Sequence, residues 1–258
     1  MKTKQVTVLD HGYVKFVESW GSDERVIEAA RMSVDKGFQG WGPECKECNC
    51  NMGYDVKQTE CHACGAKLVP GDEKLLKYLW DNKHATPFEM AGMTIEVQAP
   101  IFVFREWHRH RTQSYNEMSA RYTPLPDLSY IPTVSRLMMN AGTSNKQAGT
   151  VKGSEALTGQ AAVDLMLEEV EFNQAAERFY QKKLKAGVPK ELARTHLGVS
   201  RYSRMMASTD LRNWLSFLTL RSDMNPGAQW EIRCFANAVA DLIRDTFPRT
   251  YELFAGGN

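Results

Sequence analysis

The chain has 258 residues, 43% of them hydrophobic and 24% charged, with 32 Lys and Arg against 31 Asp and Glu for a net charge of +1. This describes a globular protein with ample core, built as one large domain or as a domain carrying an insert, and argues against a dedicated nucleic-acid or membrane-surface protein, whose charge is usually lopsided. No stretch approaches the ~18 continuous apolar residues of a membrane-spanning helix, and no signal-peptide core precedes Asp10, so a cytoplasmic location is expected.

In chain order, Val6 and Val8, then Val14 and Phe16, alternate with polar neighbours, which predicts strands or a hairpin around His11-Gly12. Ser22 or Asp23 caps a helix with Val26, Ile27 and Ala30 on one face. From Gly37 to about Pro70 the composition changes abruptly. Of six cysteines in the chain, five fall between Cys45 and Cys64. Cys45-x2-Cys48 and Cys61-x2-Cys64 are separated by twelve residues, and Gly65 follows the second pair directly. Tetrahedral zinc takes four thiolates as two such close pairs, with a glycine permitting the tight turn. Clustered cysteines in a reducing compartment point to metal more than to disulfides, and a segment this short cannot fold by burial alone. The reading is a zinc-ribbon-like insertion over residues 37–72, ligated by Cys45, Cys48, Cys61 and Cys64. Cys50 and His62 rank below these as ligands; a redox disulfide pair or a disordered loop is the rival reading.

Glu73 to Asn82 predicts a helix through Leu75, Leu76, Tyr78 and Leu79. Met93, Ile95, Val97 and Ala99 alternate with polar residues and mark the clearest strand. Pro100 then opens a helix whose later turns are expected to carry the densest charge in the chain, Arg105-Glu106-Trp107-His108-Arg109-His110-Arg111. On that helix Arg105 and Arg109 share a face, while Arg109 and Arg111 point about 200° apart. If the chain runs extended from Glu117, then Glu117, Ser119 and Arg121 line one side. The bland reading is a solvated basic helix end complementing the helix dipole. The apolar run Ile101–Phe104 and the interleaved Trp107 and Tyr115 favour partial burial instead, and half-buried arginines that outnumber the nearby acids call for an anionic ligand.

Thr123 to Pro132 reads as a proline-rich loop and residues 140–154 as a connector. Asp164 to Lys185 predicts a long helix packing Leu165, Leu167, Val170 and Phe172, and Pro189 opens another toward His196-Leu197. Arg201-Tyr202-Ser203-Arg204 forms a second arginine-rich stretch. Thr209 or Asp210 caps a helix with Trp214, Phe217 and Leu218 buried, and Arg212 and Arg221 point about 180° apart. Ala228–Arg233 starts the last long helix, and Cys234 on it reads as a small core residue rather than a nucleophile.

Arg109-His110-Arg111, seven residues, then Ser119 resembles the R-H-R-x7-S signature of the flavin-dependent thymidylate synthases. Ser114-Tyr115-Asn116-Glu117, Ser119-Ala120-Arg121-Tyr122, His84-Ala85-Thr86-Pro87-Phe88-Glu89 and Ala29-Ala30-Arg31-Met32-Ser33 are similar to further pieces of that family. The resemblance covers nearly the whole chain outside 37–72 and 140–155. It implies an α+β fold, with an antiparallel or mixed sheet and long helices, in a homotetramer that shares its sites between subunits. It implies methylation of dUMP to dTMP with FAD, NADPH and methylene-tetrahydrofolate. By the same resemblance, Arg204 and Arg121 bind the nucleotide phosphate and Arg221 meets the uracil ring. Arg109, Glu117 and Ser119 join them on dUMP, with Glu106 where the family has a glutamine. Ser33, Thr86, Glu89, Arg109, His110, Arg111, Glu117, Asp210, Arg212 and Ser216 face the flavin; Arg221 and Ser119 carry the catalysis.

The chain departs from the family at several points. Met90 stands for a histidine, Asp210 and Ser216 for common asparagines, and the loop Met224–Gly227 has two inserted residues and lacks a histidine. No G-x-G-x-x-G occurs, so no Rossmann unit holds FAD or NADPH. The competing functional readings are a dUMP hydroxymethylase, a nucleic-acid-binding zinc-ribbon protein on this scaffold, and thiol-based regulation through the ribbon. The ribbon mixes Glu44, Glu47, Asp55 and Glu60 with Lys46, Lys57 and Lys67, so it has no basic stripe and nucleic acid is not the expected partner.

Overall fold

The structure, a computed structural model, describes residues 4–43, 45, 47–48, 59–69, 71–139, 149–154 and 157–256. Among them five strands form one sheet: β1 (Gln5–Val8), β2 (Gly12–Trp20), β3 (Gly92–Pro100), β4 (Ser114–Glu117) and β5 (Tyr202–Asp210), in the order β1-β2-β3-β5-β4. The helices are α1 (Asp23–Arg31), α2 (Asp72–Asp81), α3 (Ile101–Trp107), α4 (Val134–Leu137), α5 (Gly159–Lys185), α6 (Lys190–Ala193), α7 (Leu211–Arg221), α8 (Trp230–Thr246) and α9 (Pro248–Gly256). The fold is therefore α+β, and none of these helices is long and apolar enough to cross a membrane.

The chain divides into two compact units. The first comprises Met1–Lys15, Glu96–Ala207 and Arg221–Ala238. Its hairpin pairs β1 with β2 antiparallel, Gln5 opposite Lys15 and Val8 opposite Gly12. Gly12 is required there, because a Cβ would lie 2.6 Å from the Val8 carbonyl and 2.7 Å from the Phe235 ring. Val103, Phe104, Trp107, Tyr180, Tyr202 and Phe235 fill its core.

The second unit comprises Phe16–Ile95, Ser208–Leu220 and Val239–Asn258. Ser22 caps α1 by accepting the Arg25 N–H, and Val26 and Ile27 are fully buried. Asp23, buried beneath them, accepts the Arg249 and Thr250 backbone N–H groups and the Thr250 hydroxyl, and so caps α9. Burial pushes the Asp23 carboxyl up from its ordinary pKa, against those hydrogen bonds. Trp214 is fully buried and donates its indole N–H to the Met93 carbonyl at 2.9 Å. Asp210 caps α7 as expected, accepting the Asn213 N–H at 2.9 Å. Asp210→Ala costs about 1 kcal/mol of stability by loss of that cap, read as a lower midpoint in urea unfolding.

Three expectations are corrected. The basic helix is short: α3 stops at Trp107, and Arg109, His110 and Arg111 follow in a turn. The Tyr115 hydroxyl lies 3.1 Å from the carbonyl of Trp107, the last helical residue, and 2.8 Å from that of His110 in the turn, while the Trp107 indole turns to Gln113. The helical facing of Arg105, Arg109 and Arg111 therefore does not apply. Nor does the extended run reach Arg121: β4 ends at Glu117, and residues from Ser119 form a turn in which Tyr122 N–H meets Ser119 O at 3.0 Å. Finally, Leu165, Leu167 and Phe172 on α5 are exposed. Leu165 and Leu167 are two apart, about 200° round a helix, and cannot share one buried stripe.

Candidate functional site

In the first unit the arginine-rich segment meets a partner 111 residues away. Arg221, the last residue of α7, donates from Nε to His110 Nε2 at 3.0 Å and from Nη1 to Glu106 Oε2 at 2.8 Å. Its Nη2 reaches the Glu106 carbonyl at 3.4 Å. Since His110 Nε2 accepts, the ring is neutral with its proton on Nδ1. Burial, then the positive Arg221, hold the His110 pKa down to about 4, with Glu106 opposing.

This gives a signed pH dependence. The unfolded imidazole protonates below ~6.5, whereas the folded one stays neutral until about 4. Between these values the unfolded chain binds more protons, so stability falls as pH drops through the window. His110→Gln keeps an acceptor for Arg221 and flattens that segment of the curve; urea midpoints at about pH 7 and about pH 4.5, either side of most of that window, measure it.

Arg109 and Arg111 are exposed, and among the described residues neither guanidinium has an ion-pair or hydrogen-bond partner. Arg204, on β5, is exposed and hydrogen-bonds the Tyr13 hydroxyl, which in turn donates to Glu96 at 2.5 Å. Burial, then Glu96, pushes the Tyr13 hydroxyl up from its usual pKa. Met118 N–H binds Arg204 O at 2.7 Å, which places the Glu117–Ser119 backbone beside Arg204. Ser119 Oγ accepts the Arg121 N–H, and the Arg121 side chain meets Glu191 at 3.0 Å on the surface. Glu117 is exposed at the end of β4.

The second unit collects the other predicted residues. A cavity of about 690 Å3 is lined by Trp80, His84, Phe88, Arg212, Ser216 and Thr219, among others. Arg212 pairs with Glu89, and Thr86 opens the adjoining 3-10 turn Thr86–Met90. Asp210 is committed to its cap and to the Asn213 side chain. Ser33 lies exposed in the turn after α1 and donates back to the Ala30 carbonyl at 3.0 Å, the ordinary helix-end arrangement.

The insert is in this unit too. The Sγ atoms of Cys45, Cys48, Cys61 and Cys64 lie within 4.8 Å of one another. Cys45–Cys64 and Cys48–Cys61 are each 3.5 Å apart, close to the ~3.8 Å edge of a tetrahedron with ~2.3 Å metal–sulfur bonds. Gly65 takes φ +70, and its N–H binds the Cys61 carbonyl at 2.8 Å, closing the second knuckle. Backbone N–H groups of Ala63 and Cys64 aimed at Cys61 Sγ lower its pKa to about 6, favouring the thiolate that a metal needs. His62 is exposed and outside the group; Cys50 lies outside the described residues. At the base of the insert Asp72 is fully buried, accepts the Gln39 N–H at 2.6 Å, and pairs with Arg31.

Sequence reasoning missed Tyr13 and Asp72. Tyr13 alternates with apolar residues on β2 and reads as a strand residue. Asp72 reads as an ordinary first-turn acid. A second cavity, about 590 Å3, lies in the first unit beside Phe102, Tyr130 and Phe172, and no residue assigned to a site from the sequence lines it.

The sequence profile of the family described as Thymidylate synthase complementing protein matches residues 15–249. The flavin-dependent thymidylate synthase of Wolbachia pipientis wMel is 33% identical over 96% of this chain and 75% of its own. A flavin-dependent thymidylate synthase of Thermus thermophilus is 35% identical over 96% of this chain and 77% of its own. Among solved structures, the UMP/dUMP methylase PolB from Streptomyces cacaoi, bound with 5-Br UMP, superposes with a TM-score of 0.73 at 28% identity, covering 97% of both chains. With the profile spanning most of its length and relatives above 30% identity along nearly all of it, the chain belongs to the flavin-dependent thymidylate synthase family.

Proposed function

We propose that the protein methylates dUMP to dTMP, using methylene-tetrahydrofolate as carbon donor, FAD as bound cofactor and NADPH as reductant. The observation that carries this reading is the turn Arg109–Arg111, where two exposed guanidiniums, without partners among the described residues, flank a neutral histidine tied to Arg221. Uncompensated, bidentate cations of this kind suit phosphate groups. Fit to a flavin is supported separately by the cavity beside Trp80 and Phe88, whose aromatic walls sit with the donors of Arg212, Ser216 and Thr219.

The residue roles follow the chemistry. When bound, FAD supplies the redox step that completes the methyl group. Arg204 and Arg121 take the nucleotide phosphate; the exposed Arg121–Glu191 pair costs little to exchange. Arg221 donates to the uracil ring and stabilises negative charge that develops there as C5 becomes nucleophilic. His110 accepts from Arg221 and fixes its plane. Ser119 hydrogen-bonds the nucleotide and does not attack it, because His110 Nε2 is already engaged and no other base among the described residues serves its hydroxyl. Arg109, Arg111, Ser33, Thr86, Glu89, Arg212 and Ser216 bind flavin, and Glu106, Arg109 and Glu117 contact dUMP.

The insert over 37–72 holds a structural zinc on its four cysteines, and the subunits assemble as a homotetramer with shared sites in the cytoplasm. Incubating the protein with dUMP, methylene-tetrahydrofolate, FAD and NADPH, and weighing the nucleotide by mass spectrometry, tests the reading. It predicts dTMP. Unchanged dUMP, or a product with an extra oxygen, contradicts it.

A further inference from the structure

Arg204 sits on β5 between the buried Ser203 and Met205, so its side chain emerges on the opposite side of the strand, toward solvent. Tyr13 and Lys15, two apart on β2, share a face of their strand, and both reach Glu96 on β3. The Tyr13 hydroxyl donates to Glu96 Oε1 at 2.5 Å, and Lys15 Nζ lies 3.7 Å from Oε2. Both carboxylate oxygens are thereby engaged. With its hydrogen committed to Glu96, the Tyr13 oxygen accepts from the Arg204 guanidinium. Among the described residues Arg204 makes no ion pair. A guanidinium held by a neutral hydroxyl keeps its charge for a ligand, whereas a carboxylate can claim two of its donors at once. The Met118 N–H on the Arg204 carbonyl brings the Glu117–Ser119 backbone alongside.

We propose that Tyr13 is a positioning residue, whose hydroxyl keeps Arg204 apart from Glu96 and leaves the guanidinium charge free for the nucleotide phosphate. The inference rests on the reading above that Arg204 takes that phosphate. Without the hydroxyl, Glu96 loses its closest donor and Arg204 loses its acceptor. The two opposite charges then pair with each other. A phosphate arriving at Arg204 has to displace a carboxylate, and the nucleotide binds more weakly. Removing the Glu96 charge as well takes that competitor away.

The test titrates dUMP into the FAD-loaded enzyme through the flavin absorbance. It compares the wild type, Arg204→Ala, Tyr13→Phe, and Tyr13→Phe combined with Glu96→Gln. Tyr13→Phe keeps the aromatic ring in its strand, so the variant folds. The expected result is dUMP binding on the order of tenfold weaker in Y13F, the scale of one hydrogen bond to a charged group. The single-turnover rate at saturating dUMP falls far less than the affinity, and adding E96Q restores most of the lost affinity. Wild-type affinity in Y13F, or a loss that E96Q does not repair, overturns the inference and leaves the proposed reaction standing. An Arg204→Ala enzyme that binds dUMP as the wild type does overturns the phosphate reading of Arg204 and the inference with it. A wild-type enzyme that binds no dUMP overturns the proposed reaction as well.

Discussion

Arg221→Ala lowers kcat for dTMP formation on the order of 10²- to 10³-fold, about 2.7–4 kcal/mol of transition-state stabilisation, the scale for removing one charge-stabilising donor. The argument starts from geometry. The guanidinium is 19% exposed and held by three contacts from the α3 segment, so it needs little reorganisation when charge develops on a ligand. Arg221→Lys does not rescue the rate, because an ammonium cannot occupy the His110 and Glu106 acceptors and still present a flat edge. Single-turnover measurement separates chemistry from release. A rise in KM with kcat intact would place Arg221 in ground-state binding only.

The larger effect on the fold is expected from denying the four cysteines the zinc proposed for them. Cys61→Ser with Cys64→Ser, or chelation of the wild type, abolishes stoichiometric zinc and unfolds the insert. The buried cluster there is Cys45, Cys61 and Leu68, with Ala66 packed against it, and two of these are ligands. Among the described residues of the insert, too little apolar surface remains to offset chain entropy without metal. Structural zinc in comparable small domains contributes about 10–16 kcal/mol of apparent binding free energy. Limited proteolysis beside metal quantification reads this: cleavage appears within 43–71 in the zinc-free protein. A chelated protein as resistant as the starting one, or purified protein with no zinc, would remove the metal from the account.

The legible parts of the sequence were those governed by local rules. β3 follows from strict alternation, Ser22 and Asp210 announce their helices, and the spacing of the two cysteine pairs announces a group of four thiols that could hold a metal. The end of α3 was not legible, because it is set by the Tyr115 hydroxyl bonding back to Trp107 and His110. Periodicity has no term for such a contact. The Glu106–His110–Arg221 group was half visible: each residue stood out, but the ion pair joins positions 115 apart. The exposed leucines of α5 mark the same limit, since apolar content alone does not fix a buried face.

The central claim, that this chain binds a flavin together with dUMP, is tested most directly by the visible absorption spectrum of the purified protein before and after dUMP is added. The account predicts an oxidised-flavin spectrum that shifts with dUMP and loses that response in Arg221→Ala. A protein that carries no flavin, and takes none up when FAD and dUMP are supplied together, would contradict it.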